Sequence, residues 1–382
     1  MVRLRGCAAE PIPSSRPAIT ASSTVPTVPG RPLNVAEFED LAKEALEPEV
    51  HGYFAGGAGD ERTLRDNVAA FSRWSLRPRV LVDVSDVSTR TTVLGGEVAT
   101  PVLVAPVAFQ RLAHEGGEEE MARAAEAAGT VMCLSTLATV RPAEVAAAAP
   151  SGRHWLQLYC FRDREITRGL AAEARESGFE ALVLTVDAPY AGRRERDLRL
   201  GFEVPAELVG PALTAAVGAR SLSIREVFDL VDPALTWSSL EALAAEFDLP
   251  VLLKGVMTAE DAALAVEHGA AGVMVSNHGG RQLDSVPPSI DVLPEVAETI
   301  DGRIEVLMDG GIRRGTDVVT ALGLGADAVL IGRPALWGLA VGGREGALRV
   351  LELLRSELQL ALALVGCRSP HAIARDHIRR SD

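Results

Sequence analysis

The sequence predicts an α/β chain built as a (β/α)8 TIM barrel, with a helical N-terminal subdomain before it and a long loop after strand 4. Three observations lead there. Between Pro101 and Pro334, short apolar runs alternate with alanine-rich amphipathic stretches, the pattern of repeated βα units on a parallel sheet. Gly129, Gly178, Gly269 and Gly325 stand where the C′ residue of a helix belongs. The repeated region also has the length that closing such a barrel requires.

Taken in order, strands are expected at residues 102–107, 131–135, 155–160, 181–186, 251–256, 272–276, 305–308 and 328–331. Helices are expected at 118–128, 164–177, 240–247, 259–268 and 316–324. Residues 1–31, rich in Pro, Ser, Thr and Ala without hydrophobic periodicity, read as a disordered tail. The remainder, 32–382, reads as a single domain with its barrel core at about 101–366, and 34–79 as the helical subdomain. Residues 198–237 exceed a normal βα connection and predict a lid or interaction element, with a peripheral membrane patch as the weaker alternative.

The 382 residues carry 38 Lys+Arg against 52 Asp+Glu, a net charge of −14 that argues against a nucleic-acid surface. Cys7, Cys133, Cys160 and Cys367 are scattered and suggest neither a metal site nor a disulfide framework, so a cytoplasmic location is expected. Arg3 and Arg5 precede Cys7, but no apolar h-region follows them. No apolar run reaches the roughly 20 residues of a membrane span.

The most informative stretch is Val273 to Asp284, where an apolar run ends in Ser276-Asn277-His278-Gly279-Gly280-Arg281. In such barrels the chemistry lies just beyond the carboxyl ends of the strands. His278 and Arg281 would fall there as a base and an anion-binding cation. Ser135, Gln157, Tyr159, Thr185, Asp187 and Lys254 occupy or closely follow other strand ends. Ordinary mouth positions explain some of these, but not the convergence of amide, phenol, carboxylate, ammonium and imidazole. Asp187 would orient His278, and Lys254 would stabilise a developing anion. Arg194 pairs naturally with Arg281 as a carboxylate clamp, whereas Arg193 and Arg196 read as solvated charge. Tyr53, outside the barrel, reads by itself as a core aromatic. The runs from Asp309 to Gly315 and from Gly325 to Pro334 resemble a barrel phosphate site, with Arg313 and Arg333 as its cations.

The chain resembles the FMN-dependent 2-hydroxy-acid oxidases and dehydrogenases, which include glycolate-, lactate- and mandelate-oxidising enzymes, and among them looks most like bacterial mandelate or hydroxymandelate oxidases. The likeness covers about Val35 to Val365 and rests on Ser276 to Asp284, Thr185-Val186-Asp187, Gly192-Arg193-Arg194-Glu195 and Asp309 to Asp317. It implies an FMN cofactor and oxidation of an (S)-2-hydroxy acid by dioxygen, giving the 2-oxo acid and hydrogen peroxide. His278 would be the base, supported by Asp187. Tyr53, Tyr159, Arg194 and Arg281 would bind the substrate. Ala105, Pro106, Val107, Ala108, Ser135, Gln157, Thr185 and Lys254 would surround the flavin ring. Ser276, Asp309, Gly311, Arg313, Gly332 and Arg333 would complete the cofactor site. A homo-oligomer, commonly a tetramer, is also implied.

Leu137 departs from the tryptophan of glycolate-oxidising relatives and predicts a larger, mandelate-like substrate. The alternatives are a lactate oxidase or monooxygenase, a dehydrogenase delivering electrons to a quinone or protein, and a flavin-binding module without turnover.

Overall fold

A computed structural model of the chain describes residues 32–218 and 220–381, so the tail expected over residues 1–31 lies outside the described residues. Eight parallel strands close a barrel in chain order: β1 (Val102–Val104), β2 (Val131–Leu134), β3 (Arg153–Leu158), β4 (Ala181–Thr185), β5 (Val251–Val256), β6 (Gly272–Val275), β7 (Glu305–Asp309) and β8 (Ala328–Ile331). The predicted architecture is the observed one. β1 stops earlier than its apolar run suggests, because Pro106 has no N–H to continue a ladder. β3 begins two residues earlier than expected, at Arg153.

Alternate side chains fill the barrel from within. Leu103, Val131, Cys133, Trp155, Val183, Leu252, Met274 and Leu307 are fully buried there. Each large apolar side chain contributes about 1.5–3 kcal/mol by leaving water. An antiparallel hairpin, Thr91–Val93 with Gly96–Val98, adds Val93 and Val98 to the same interior cluster. Arg153 secures it by donating to the carbonyls of Val93 and Gly96 at 3.0 and 2.9 Å.

Helices α1 (Val35–Ala45), α2 (Pro48–Ala55) and α3 (Arg62–Ala69) form the N-terminal layer. Helices α4 (Gly117–Ala128), α5 (Pro142–Ala148) and α6 (Arg164–Glu176) follow the first three barrel strands. The long segment after β4 is itself folded. It holds α7 (Glu195–Leu200), a two-stranded ribbon of Glu203–Val204 and Leu222–Ser223, α8 (Pro211–Val217) and α9 (Ile224–Asp229). Its Leu213, Leu222 and Val227 are fully buried, which explains why a stretch that reads as a loop is ordered.

Five helices complete the chain: α10 (Trp237–Phe247), α11 (Ala259–Glu267), α12 (Ser289–Ile300), α13 (Gly315–Gly323) and α14 (Arg333–Val365), the last broken at Gly342 and Gly343. Helix α1 packs on α14, and Trp74–Leu76 pairs with Ile378–Arg380. Among the described residues, no helix is long and apolar enough to cross a membrane.

Helix α3 begins without a capping side chain of its own. Asp284, from the β6–α12 connection, replaces it by accepting from the backbone N–H groups of Asp60, Arg62 and Thr63 at 3.0, 3.3 and 2.9 Å. Asp284→Ala should therefore cost about 1 kcal/mol, the usual loss for a removed N-cap, read as a lower urea midpoint at unchanged slope.

Candidate active site

The site is organised by a turn of unusual handedness. After β6, His278, Gly279 and Gly280 take φ of 58°, 62° and 73°, three successive residues in the left-handed region. For histidine this conformation is strained and needs support from its surroundings. Asn277 provides part of it, accepting from the Gly280 N–H at 3.2 Å. Asn67 on α3 exchanges two amide hydrogen bonds with Asn277, each 2.8 Å long, and Ala58 N–H donates to the Gly280 carbonyl at 2.8 Å. Asn67 carries no sequence signal, because its partner lies 210 residues away.

Held in this way, the His278 ring places Nδ1 2.9 Å from Asp187 Oδ1 and Nε2 3.3 Å from the Tyr159 hydroxyl. Burial would raise the Asp187 carboxyl, but His278 and Lys254 outweigh it and hold the group below its ordinary range. An ionised Asp187 accepts, so Nδ1 carries the imidazole proton and Nε2 presents its lone pair. Burial is also the largest influence on His278 and depresses its pKa. Lys254 and Arg194 reinforce the effect, and Asp187 opposes it without prevailing. The His278 pKa therefore lies below the ordinary imidazole value.

Lys254, 4% exposed, donates to Ser276 Oγ at 3.0 Å and lies 3.4 Å from Asp309 Oδ2. Burial disfavours its charge, but Asp309 and then Asp187 raise its pKa above the ordinary lysine value. The stability it contributes is present below the unfolded lysine pKa and is lost as pH rises through the folded one. Gln157 joins neighbouring strand ends, accepting from Ser135 Oγ and Thr136 N–H and donating to Thr185 Oγ1 at 3.0 Å.

Arg281 lies over the Tyr53 ring, 4.9 Å from its centroid, and its Nη1 donates to the carbonyls of Tyr53 and Gly56 at 2.6 and 3.0 Å. Tyr53 stacks on Phe202 from the inserted segment, with centroids 4.4 Å apart. Arg194, 5% exposed, donates through Nε to the Arg281 carbonyl at 3.3 Å. Arg193 remains exposed, as its sequence context suggested, whereas Arg196 pairs with Glu61 at 2.7 Å.

One cleft, with about 1060 Å³ of empty space including its open mouth, joins these groups to the glycine-rich ends of β7 and β8. Tyr53, Tyr159, Arg194, His278 and Arg281 line one part of it. Ala105 to Ala108, with Ser135, Gln157, Thr185 and Lys254, form its middle, and Asp309, Gly311, Arg313, Gly332 and Arg333 its far part. Leu137 also faces it, while Asp187 and Ser276 stand behind His278 and Lys254. Arg333, which its motif suggests as a phosphate cation, lines this cleft and is anchored to the backbone around it. Its Nε, Nη1 and Nη2 already donate to the carbonyls of Phe54, Gly279 and Gly56 at 2.9, 3.0 and 2.8 Å. Ile224 and Phe228, from the inserted segment, are lining residues that sequence reasoning did not single out.

A family model described as FMN-dependent dehydrogenase matches residues 42–380. The chain belongs to this family. It is 49% identical over 346 residues to an L-lactate oxidase from Nostoc sp., covering 88% of this chain and 95% of that protein. Against 2-hydroxyacid oxidase 1 from Homo sapiens, identity is 43% over 360 residues, with 92% and 97% covered. A solved mandelate oxidase structure with (S)-4-hydroxymandelic acid superposes with a TM-score of 0.88 at 43% identity, covering 92% of this chain and 99% of that one.

The cleft of this FMN-dependent enzyme fits its cofactor. Asp309 Oδ1 is buried without a partner, as an acceptor awaiting a hydroxyl donor would be. Gly310 and Gly311 have φ of 97° and 89°, and a Cβ on Gly311 would lie 2.0 Å from the Asn67 carbonyl oxygen. Only glycine permits this close backbone turn beside the cationic end.

Replacing Lys254 with Met would leave Asp309 buried without its cation. Loss of one partner of a buried ion pair costs about 3–5 kcal/mol, so Lys254→Met should lower unfolding free energy by that order in urea titrations. A change under 1 kcal/mol would contradict the pairing described here.

Proposed function

We propose that the chain oxidises the anion of an (S)-2-hydroxy acid with a mandelate-sized apolar side group, giving the 2-oxo acid while dioxygen becomes hydrogen peroxide. The observation carrying this reading is the apolar wall of Leu137, Ile224 and Phe228, which shares one cleft with His278, Tyr159 and the two arginines. Such a wall receives the side group, and the arginines receive the carboxylate.

Bound FMN supplies a two-electron acceptor that dioxygen can reoxidise. The chain supplies the rest. Arg194 and Arg281 hold the carboxylate and so fix which face of the α-carbon meets the cofactor. Burial, followed by the charge of Asp187, raises the Tyr159 phenol, which therefore stays protonated and donates to the substrate oxygen. His278 takes a proton through Nε2, and Asp187 stabilises the resulting imidazolium. Lys254 contributes positive charge where negative charge accumulates. His278, Asp187, Arg194 and Arg281 in these roles favour turnover over simple flavin storage.

The 49% identity to the Nostoc lactate oxidase favours one second reading, a substrate with a methyl side group. Parallel kcat/KM values for (S)-mandelate and (S)-lactate, measured by peroxide release, separate the two. A larger value for lactate would overturn the mandelate assignment. Peroxide release at a rate far below flavin reduction would instead assign the electrons to another acceptor.

His278→Ala should slow anaerobic flavin bleaching by about 10²–10⁴-fold, the range for a lost general base. With the parent chain, kcat/KM should rise with pH through an apparent pKa below the ordinary 6.5 of histidine and stay level across neutrality, because the neutral ring is the active form. An apparent pKa above 7 in that profile would rule out the neutral resting base. Leu137→Trp should lower kcat/KM for mandelate relative to glycolate by about tenfold or more, since each pocket methylene already contributes about 1–3 kcal/mol of discrimination.

A further inference from the structure

Buried Arg194 and half-buried Arg281 form a cationic pair, and one acidic side chain beside them has no role in the chemistry above. Asp197 is 6% exposed, and its Oδ2 lies 3.9 Å from Arg194 Nη1, beyond hydrogen-bond distance. Both carboxylate oxygens are buried without any hydrogen-bond partner. Arg194 has other anchors, the Arg281 carbonyl at 3.3 Å and the Phe228 ring at 5.9 Å. Asp197 therefore touches the arginine electrostatically without gripping it.

We propose that Asp197 is a built-in counter-carboxylate: a positioning residue that balances Arg194 and Arg281 when no substrate is bound and weakens the hold on substrate and product anions alike. The proposal rests on the assignment of the two arginines to the substrate carboxylate. The 2-hydroxy acid and the 2-oxo acid carry the same carboxylate, so a pair of arginines with no internal anion would bind both too well and retard product release. Binding energy spent equally on ground state and product does not raise kcat. A loosely placed internal anion offsets that excess without occupying the donors the ligand needs.

The groups facing Asp197 are Arg194 and Arg196 from its own segment, Arg281 from the β6 turn, Tyr53 on α2 and Glu61 ahead of α3. Burial raises the Asp197 carboxyl and outweighs the three arginines. Falling pH therefore neutralises it sooner than an exposed aspartate, and anion affinity should rise as it does.

The test is binding of phenylacetate, an anion lacking the oxidisable hydroxyl, to the FMN-loaded parent and Asp197→Asn chains, followed by flavin absorbance. At pH 8 the variant should bind about tenfold more tightly, the order expected for one charge removed at close range. KM for the hydroxy acid and the inhibition constant of the 2-oxo acid should fall together, while kcat falls through slower release. The parent's extra tightening at low pH should be absent from the variant, whereas effects of His278 persist in both. Asp197→Ser removes the same charge with less bulk and must move affinity in the same direction. Unchanged or weaker binding by the folded variants would overturn the proposal and leave Asp197 as a simple anchor. A parent chain that is reduced by hydroxy acids but whose phenylacetate affinity ignores Asp197 loses only this inference. A parent that binds neither anion loses the functional reading and this proposal with it.

Discussion

The mouth of the barrel depends on the way helix α2 ends. The last carbonyls of a helix lack partners within it and carry the negative end of its dipole. Here the carbonyls of Tyr53, Phe54 and Gly56 receive Arg281 and Arg333, so two half-buried cations complete the helix and the helix neutralises part of their charge. Burial and then Arg281 depress both remaining guanidinium groups, Arg333 to about 9 and Arg194 to about 10, yet each stays charged at neutral pH. A charge-assisted hydrogen bond contributes about 1.5–3 kcal/mol, enough for several of them to offset repulsion among the three arginines. The N-terminal layer is thus part of the site, although Tyr53 is the only one of its side chains that the sequence suggested for chemistry.

The left-handed turn after β6 is the second half of the same arrangement. Its strain is tolerated because the Asn67–Asn277 pair, the Ala58–Gly280 hydrogen bond and the Asp284 cap all join the turn to α3 and the segment before it. Gly57 shows how close this contact is, since a Cβ there would lie 2.9 Å from the Gly280 carbonyl oxygen. The orientation of His278 toward Asp187 and Tyr159 follows from backbone contacts made on the opposite side of the turn.

The barrel was legible in the sequence because parallel strands and amphipathic helices leave local patterns of composition. His278, Asp187, Lys254 and Gln157 were legible as chemically distinctive residues at or just beyond strand ends, and the structure brings them together. Asn67 and Asp197 were not. Asn67 matters through one distant partner, and Asp197 sits at the end of a charged run whose pattern resembles a solvated face. The fold of residues 198–237 was hidden for a related reason, since α7 packs on α2 and α8 on α6, partners remote in sequence. Arg333 was legible by its motif, but its anchoring was not, because two of its three carbonyl partners, Phe54 and Gly56, come from a segment nearly 280 residues earlier.

The inserted segment and the loop after β2 also have to be read as one structure. Gly210 lies so close to the Ala138 carbonyl that a Cβ would stand 1.8 Å from its oxygen. On the other side of that loop, Glu118 is fully buried and accepts from Gln110 N–H at 3.1 Å, Thr139 N–H at 2.9 Å and the Thr139 hydroxyl. Phe109 N–H reaches the Leu137 carbonyl at 3.0 Å. Leu137 is therefore suspended between fixed points, and the backbone beneath it cannot retreat to accommodate a bulkier neighbour. A change of side-chain volume at this position must be expressed in the cleft that Ile224 and Phe228 also line, rather than relieved in the loop. Glu118 and Gly210 thus remove the freedom of the chain that carries Leu137, the position at which the proposed function places the control of substrate size.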